Sequence, residues 1–144
     1  MDIRPLTPRY AVSPQITPED LPAIKAAGFA TVICNRPDIE NPPGLRAEAM
    51  RAAAEAAGLG FHVLELTHQT MTPENIARQR ALIEEAQGPV LAYCASGTRC
   101  SVIWSLGQAG HMPVEDILKA TAQAGYQLDQ LRPALEDLAA RQND

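Results

Sequence analysis

The sequence predicts an α/β fold with a central, mainly parallel sheet of about four or five strands flanked by helices. Short apolar segments rich in β-branched residues alternate along the chain with longer segments of helical composition. Glycines also stand where the helical segments should end, and glycine readily adopts the left-handed conformation of a helix terminus. These glycines are Gly28, Gly58, Gly88, Gly110 and Gly125.

Strands are predicted at positions 3–4, 10–13, 30–34, 61–66 and 90–93. Prolines beside the first two segments are typical of edge strands or of turns. Helices are expected to begin at Thr17 and Thr72, because each threonine precedes a Pro-Glu pair and can accept a hydrogen bond from the first helical turn. Further helices are predicted at 45–57, 100–110 and 113–124, with a last one from Pro133.

Composition narrows the class of protein. The chain has 144 residues, 46% hydrophobic and 20% charged, which predicts one globular domain over positions 1–144. Its net charge of −5 and its lack of a basic block argue against nucleic acid or an anionic membrane as a partner. The first residues form no apolar segment, and no long apolar run follows. We therefore expect a soluble, cytoplasmic protein.

The three cysteines are an odd number without paired spacing, which favours thiol chemistry in a reducing compartment over a disulfide framework. The cysteines and histidines also lack the spacing of a metal site, so no metal and no cofactor is expected.

The segment VLAYCASGTRC at 90–100 is the most informative one. A strand leads into a loop of small residues, and a helix follows at once, so backbone N–H groups and the helix dipole should create an anion cradle. Cys94 at the lip of this loop is predicted to have a lowered pKa and to act as a nucleophile. Arg99 would close the loop and either orient it or bind an anion. The anion-binding positions are Ala95, Ser96, Gly97 and Thr98.

Topology adds three candidates for substrate binding. In a parallel sheet, ligands bind beyond the carboxyl ends of the strands. The segments 35–40 and 67–70 should leave the sheet at the same edge as the loop that carries Cys94. Arg36, Asp38 and His68 are therefore expected near that loop, although Arg36 and Asp38 could instead pair with each other and fix their own segment.

The loop at 94–99 and the segment NRPD at 35–38 with Glu40 resemble the beta-lactamase-hydrolase-like phosphatase or sulfurtransferase family. The resemblance covers nearly the whole chain and implies the fold of the dual-specificity protein phosphatases. Many members of that family occur beside, or fused to, sulfide-oxidising enzymes. The implied activity is therefore divided between phosphate and sulfur chemistry, and sulfide-oxidising enzymes are implied partners.

Three departures from cysteine phosphatases favour sulfur chemistry. Four residues rather than five separate Cys94 from Arg99, a spacing similar to that of rhodaneses. Tyr93 stands where such phosphatases have histidine. The stretch 67–70, where an aspartic general acid would be expected, offers only His68.

We therefore expect a sulfurtransferase that moves a sulfane sulfur through a persulfide on Cys94. The donor would be thiosulfate or a low-molecular-weight persulfide, and the acceptor a thiol. The alternative is a phosphatase that acts through a phosphocysteine on Cys94, and a second alternative is a thiol or persulfide sensor without turnover. Cys100, in the first helical turn, is a candidate resolving thiol, although a buried core position is also consistent with its context. Cys34, Trp104 and Tyr126 are expected in the core.

Overall fold

The computed structural model describes residues 1–142, and five strands form one sheet in the order β1-β2-β5-β3-β4. Strand β1 is antiparallel to β2, whereas all other neighbouring pairs are parallel. The predicted α/β fold with a mainly parallel sheet is therefore confirmed. The strands are β1 (Arg4–Thr7), β2 (Tyr10–Ser13), β3 (Thr31–Cys34), β4 (Gly60–Val63) and β5 (Val90–Tyr93).

Six α-helices cover the two faces of this sheet in residues 1–142. They are α1 (Leu21–Ala26), α2 (Ala47–Ala56), α3 (Pro73–Glu85), α4 (Thr98–Gln108), α5 (Val114–Gln123) and α6 (Arg132–Gln142). Helices α1 and α2 pack on one face, and α3 to α6 supply the apolar cluster on the other.

The central strands are apolar throughout because both of their faces are buried. In β5, Leu91 and Tyr93 belong to the cluster under α1 and α2, whereas Val90 and Ala92 belong to the opposite cluster. The same alternation places Cys94 in the cluster of α3 to α6. The register of β5 therefore decides which helices pack against the sulfur of Cys94.

Several predicted boundaries were wrong. The strand expected to reach position 66 ends at Val63, because its partner β3 ends at Cys34 and only single hydrogen bonds from Leu64 and Leu66 follow. The helix expected from position 45 begins at Ala47, after a short 3₁₀ turn. Helix α4 begins at Thr98 rather than at 100, because Gly97 completes the turn with a φ of +92°.

None of the helices in residues 1–142 combines the length and the apolar character that a membrane crossing requires.

Candidate active site

The loop between β5 and α4 surrounds the sulfur of Cys94. The side chain of Cys94 is fully buried, and its Sγ accepts a hydrogen bond of 3.1 Å from the N–H of Gly97. The expected position at the lip of the loop was therefore wrong: the sulfur lies beneath it. Ala95 and Ser96, which follow it, are exposed.

The surroundings of Cys94 stabilise a thiolate. The thiol of Cys100 and the backbone N–H groups of Cys100 and Ser96 favour the charged form of Cys94, as does the N–H of Gly97, which lies within hydrogen-bond distance of the Cys94 sulfur. These donors outweigh burial, which acts in the opposite direction, and lower the pKa of Cys94 to about 5. At neutral pH, Cys94 is therefore an anion held by the first turn of α4.

Cys100 has the opposite character. Its side chain is fully buried, and burial raises the pKa of Cys100 well above the ordinary thiol value, with a further contribution from the nearby Cys94. Cys100 therefore stays protonated and can donate to Cys94. Cys100 therefore belongs to the core, which was one of the two interpretations of its position in the sequence. It also lies next to Cys94.

Arg99 is fixed by partners outside its own loop. Its guanidinium donates to both carboxylate oxygens of Glu40, at 2.8 Å each, and to the carbonyl oxygen of Leu66 at 2.9 Å. The Glu40 hydrogen bonds raise the pKa of Arg99, and the nearby Cys94 adds to the effect. Arg99 lies in the first turn of α4 rather than closing the loop. It connects the first turn of α4 to the loops that follow β3 and β4.

Arg36 approaches the same carboxylate from the segment after β3. Its Nε donates to Glu40 at 3.2 Å, and its Nη1 donates to the side-chain oxygen of Gln15 at 3.2 Å. Arg36 therefore pairs with Glu40 and not with Asp38. Two guanidinium groups converge on one carboxylate, and Arg99 in particular lowers the pKa of Glu40.

Asp38 is engaged by groups of its own chain, and contact of this side chain with substrate stays a prediction. Its carboxylate accepts a hydrogen bond of 2.8 Å from the N–H of Ala47 and so stabilises the beginning of α2. Its own N–H donates to Glu65 at 2.9 Å. His68 is exposed, and it lines an apolar groove together with Thr98 of the loop.

Tyr126 fixes the loop from the side of α5. Its ring is buried as expected for a core residue, but its hydroxyl donates to the carbonyl oxygen of Ser96 at 2.8 Å. A Cβ atom on Gly97 would lie only 2.1 Å from that hydroxyl oxygen. Within the loop, the hydroxyl of Ser96 donates to that of Thr98 at 2.9 Å. The N–H of Gln15 donates to the carbonyl oxygen of Ala95 at 3.2 Å.

A network of hydrogen-bonded side chains in the core supports the backbone at the start of α4. The side-chain amides of Asn35 and Gln79 bond to each other at 2.9 and 3.0 Å. Gln79 also donates to the hydroxyl of Tyr10 at 3.2 Å, and that hydroxyl donates to the carbonyl oxygen of Cys100 at 2.9 Å. These groups are satisfied inside the core, which fixes the backbone next to the nucleophile.

Sequence reasoning missed the positioning roles of four side chains that hold the site: Gln15, Glu40, Gln79 and the hydroxyl of Tyr126. One of them carried a local signal, since Glu40 lies four residues after Arg36 and can pair with it within the loop. The others meet the site only because distant segments come together in the fold.

The sequence of this chain matches a known family of phosphatase-like domains. The family described as "Beta-lactamase hydrolase-like protein, phosphatase-like domain" matches residues 2–111. The chain belongs to this family. It is 34% identical over 124 residues to the beta-lactamase hydrolase-like protein of Agrobacterium fabrum, covering 83% of this chain and 28% of that relative. The chain thus spans less than a third of the length of the curated relatives it matches.

Solved structures of the phosphatase-like fold are similar over nearly the whole chain. A candidate phosphatase from Neisseria meningitidis is 36% identical, with a TM-score of 0.85 and coverage of 96% of this chain and 99% of that one. TpbA of Pseudomonas aeruginosa, solved in complex with phosphotyrosine, has a TM-score of 0.69 at 13% identity, covering 99% and 91%. The second likeness concerns the fold alone. The family and the cysteine-phosphatase-like fold implied by the sequence are confirmed.

Proposed function

We propose that this protein is a cysteine-dependent phosphatase that hydrolyses phosphate monoesters through a phosphocysteine on Cys94. The observation that carries the proposal is the position of the Cys94 sulfur, which accepts a hydrogen bond of 3.1 Å from the N–H of Gly97 just before α4 begins, in surroundings that lower its pKa. Cys94 stands in a chain of the phosphatase-like domain family. Sulfur transfer, the activity that we expected first from the loop length, has no comparable support from the relatives.

The reaction would proceed in two displacements. The Cys94 thiolate attacks phosphorus, an S–P bond forms, and the ester P–O bond breaks with release of the alcohol or phenol oxygen as an anion. Water then attacks the phosphocysteine, loses its proton to solvent, and releases inorganic phosphate and the thiolate. The N–H groups of the loop and the helix dipole would stabilise the negative charge of the equatorial oxygens.

The acidic side chains of the loop after β3 are poorly placed to protonate the leaving group. Asp38 is bound to the N–H of Ala47, and the pKa of Glu40 is lowered by Arg99, so neither acidic side chain of this loop is suited to protonate a leaving oxygen. We therefore expect substrates whose leaving group is already a stable anion. Aryl phosphates should react much faster than simple alkyl phosphates.

Release of p-nitrophenol from p-nitrophenyl phosphate tests the proposal. The intact chain should turn over this substrate, Cys94→Ser should abolish turnover, and Cys34→Ser should retain it. Cys34 is the matched control because it is also a buried cysteine, but its thiol donates to the carbonyl oxygen of Arg36 at 3.4 Å. Equal activity of the intact chain and Cys94→Ser would contradict the proposal, as would no phosphate release at all.

A sulfurtransferase is the second candidate, and one contact favours it. The Cys100 thiol, which helps to lower the pKa of Cys94, would also stabilise a sulfur anion such as a persulfide, and transfer of a sulfane sulfur needs no general acid. Treatment with thiosulfate separates the activities. Steady-state sulfite release with one added sulfur on Cys94 would support this candidate. A single adduct without turnover would support the sensor.

A further inference from the structure

An apolar groove begins at the catalytic loop and runs along α4. Its volume is about 570 Å³, within the range typical of small-molecule sites. Thr98, Val102 and Leu106 form its floor at a spacing of one helical turn each, so it extends about 12 Å along the helix. Residues from α3, α6 and the preceding loops form the walls: Met71, Ile76, Leu131, Ala134 and Leu138.

We infer that this groove binds an apolar chain on the organic group of the substrate, while the phosphate sits at Cys94. This inference rests on the proposed phosphatase function and narrows its substrate class to phosphate monoesters with a hydrocarbon tail. Two features on the groove itself support that occupant: its continuity with the loop and the charge along its length.

Thr98 provides the continuity. It is the first residue of α4 and directly follows Gly97, whose N–H donates to the Cys94 sulfur, and its hydroxyl accepts a hydrogen bond from Ser96. Because Thr98 also lines the groove, a group attached to a phosphate above the loop can extend directly into it.

Charge along the groove favours a neutral tail. Asp137 lines it near Leu138, and its carboxylate pairs with Arg141 at 3.1 Å, so that end does not offer a free cation for a second anionic group. His68 and Gln130 also line the groove, and most of its other lining residues are apolar. A hydrocarbon tail would bury apolar surface on both itself and the groove.

Phenyl phosphates with para n-alkyl chains from ethyl to hexyl test the inference, because the chain changes contact with the groove while the leaving group stays a similar phenol. Binding is measured by calorimetry on Cys94→Ser, below the concentration at which the compounds form micelles. We expect the affinity to rise by up to about fourfold for each added methylene, the value for full burial of a methylene group. Equal affinity for ethyl and hexyl compounds would overturn the inference.

Two variants locate the tail. Leu106→Gln and Leu131→Gln, each in the Cys94→Ser background, should flatten the dependence on chain length, since both residues are half-buried in the groove. Ile83→Gln is the matched control, because Ile83 is half-buried against the same core but lies outside the groove, and it should retain the dependence. An unchanged dependence in both groove variants would overturn the inference, and thermal melts confirm which variants are folded.

Turnover by the intact chain separates the two proposals. If long-chain compounds bind Cys94→Ser more tightly but the intact chain hydrolyses none of the series, the groove inference stands and the phosphatase proposal fails. If the intact chain hydrolyses ethyl and hexyl compounds with equal kcat/KM and both bind equally, the phosphatase proposal stands and the groove inference fails.

Discussion

Glu40 and Arg99 form a two-pronged ion pair with both N–O distances at 2.8 Å, although 59 residues separate them in the chain. The pair joins the loop after β3 to α4, the helix that follows the Cys94 loop, and Arg99 is nearly buried with 11% of its side chain exposed. Planar two-pronged pairs fix orientation as well as distance. Glu40 is therefore a positioning residue for the first turn of α4.

Glu40→Gln should lower the free energy of unfolding by about 1–2 kcal/mol, because charge-assisted hydrogen bonds to Arg99 are lost. The pKa of Glu40 is lowered in the folded protein, so its stabilisation is present above the ordinary glutamate pKa and disappears as the pH falls through the lowered value. Urea unfolding at pH 7 and at pH 3 measures both effects, and the gap between the proteins should narrow at pH 3. Arg36→Gln, the control, removes the more exposed partner and should have a smaller effect.

The activity of the intact chain should rise with pH through about 5 and then remain level toward neutral pH, because the Cys94 thiolate forms with a pKa of about 5. Cys100→Ala removes the thiol that contributes most to lowering the pKa of Cys94 and should shift this midpoint upward, toward the ordinary thiol pKa. The pH dependence of alkylation by iodoacetamide reports the same ionisation without turnover. Cys34→Ala should leave the midpoint in place, and an unshifted midpoint in Cys100→Ala would contradict the role of that donor.

Gly97→Ala should destabilise the protein by more than backbone strain alone requires. Its φ of +92° strains any other residue, and a Cβ would also meet the hydroxyl of Tyr126 at 2.1 Å. Gly28→Ala is the matched control, since Gly28 has a φ of +101° but no atom within 4 Å of its Cβ position. We expect a loss of about 1–2 kcal/mol for Gly28→Ala and a clearly larger one for Gly97→Ala. If urea unfolding shows the same loss of free energy for both variants, Tyr126 moves aside for the new Cβ without a cost in stability.

Tyr10→Phe tests the network of hydrogen-bonded side chains that supports the start of α4. The substitution removes the donor to the carbonyl oxygen of Cys100 and the acceptor for Gln79, both in the buried core. The free energy of unfolding should fall by about 1–3 kcal/mol, the range for leaving buried polar groups unpaired. Turnover of p-nitrophenyl phosphate should also fall, since this backbone adjoins the N–H groups at Cys94. If Tyr10→Phe loses stability but keeps its turnover, this buried hydrogen-bond network has only a structural role.

Cys100 as a resolving thiol remains a prediction, and hydrogen peroxide tests it. The Cys94 thiolate would attack an oxygen of peroxide to give a sulfenic acid and hydroxide. The Cys100 sulfur would then displace the sulfenic oxygen, forming a disulfide and releasing water with the Cys100 proton. Peptide mapping should find a Cys94–Cys100 disulfide, with activity restored by dithiothreitol. Irreversible oxidation of Cys94 with Cys100 still a free thiol would contradict the prediction.

The sequence alone determined the class of fold, the family and the loop that surrounds Cys94, because each depends on local order. Apolar runs specify buried strands, and a cysteine in a small-residue loop before a helix specifies an anion cradle whatever surrounds it. Helix and strand boundaries were less accurate, since Gly97 and Asp38 set them through a turn geometry and a hydrogen bond to Ala47.

Tertiary structure alone decided which side chains support the nucleophile. Asp38 and Glu40 are two residues apart, and no sequence pattern indicates that one stabilises α2 while the other binds Arg99. The roles of Tyr126 and Gln79 likewise follow from helices packing on one face of the sheet. Hydrogen bonds depend on distances of a few tenths of an ångström between segments that are remote in the chain, and only the assembled fold sets those distances.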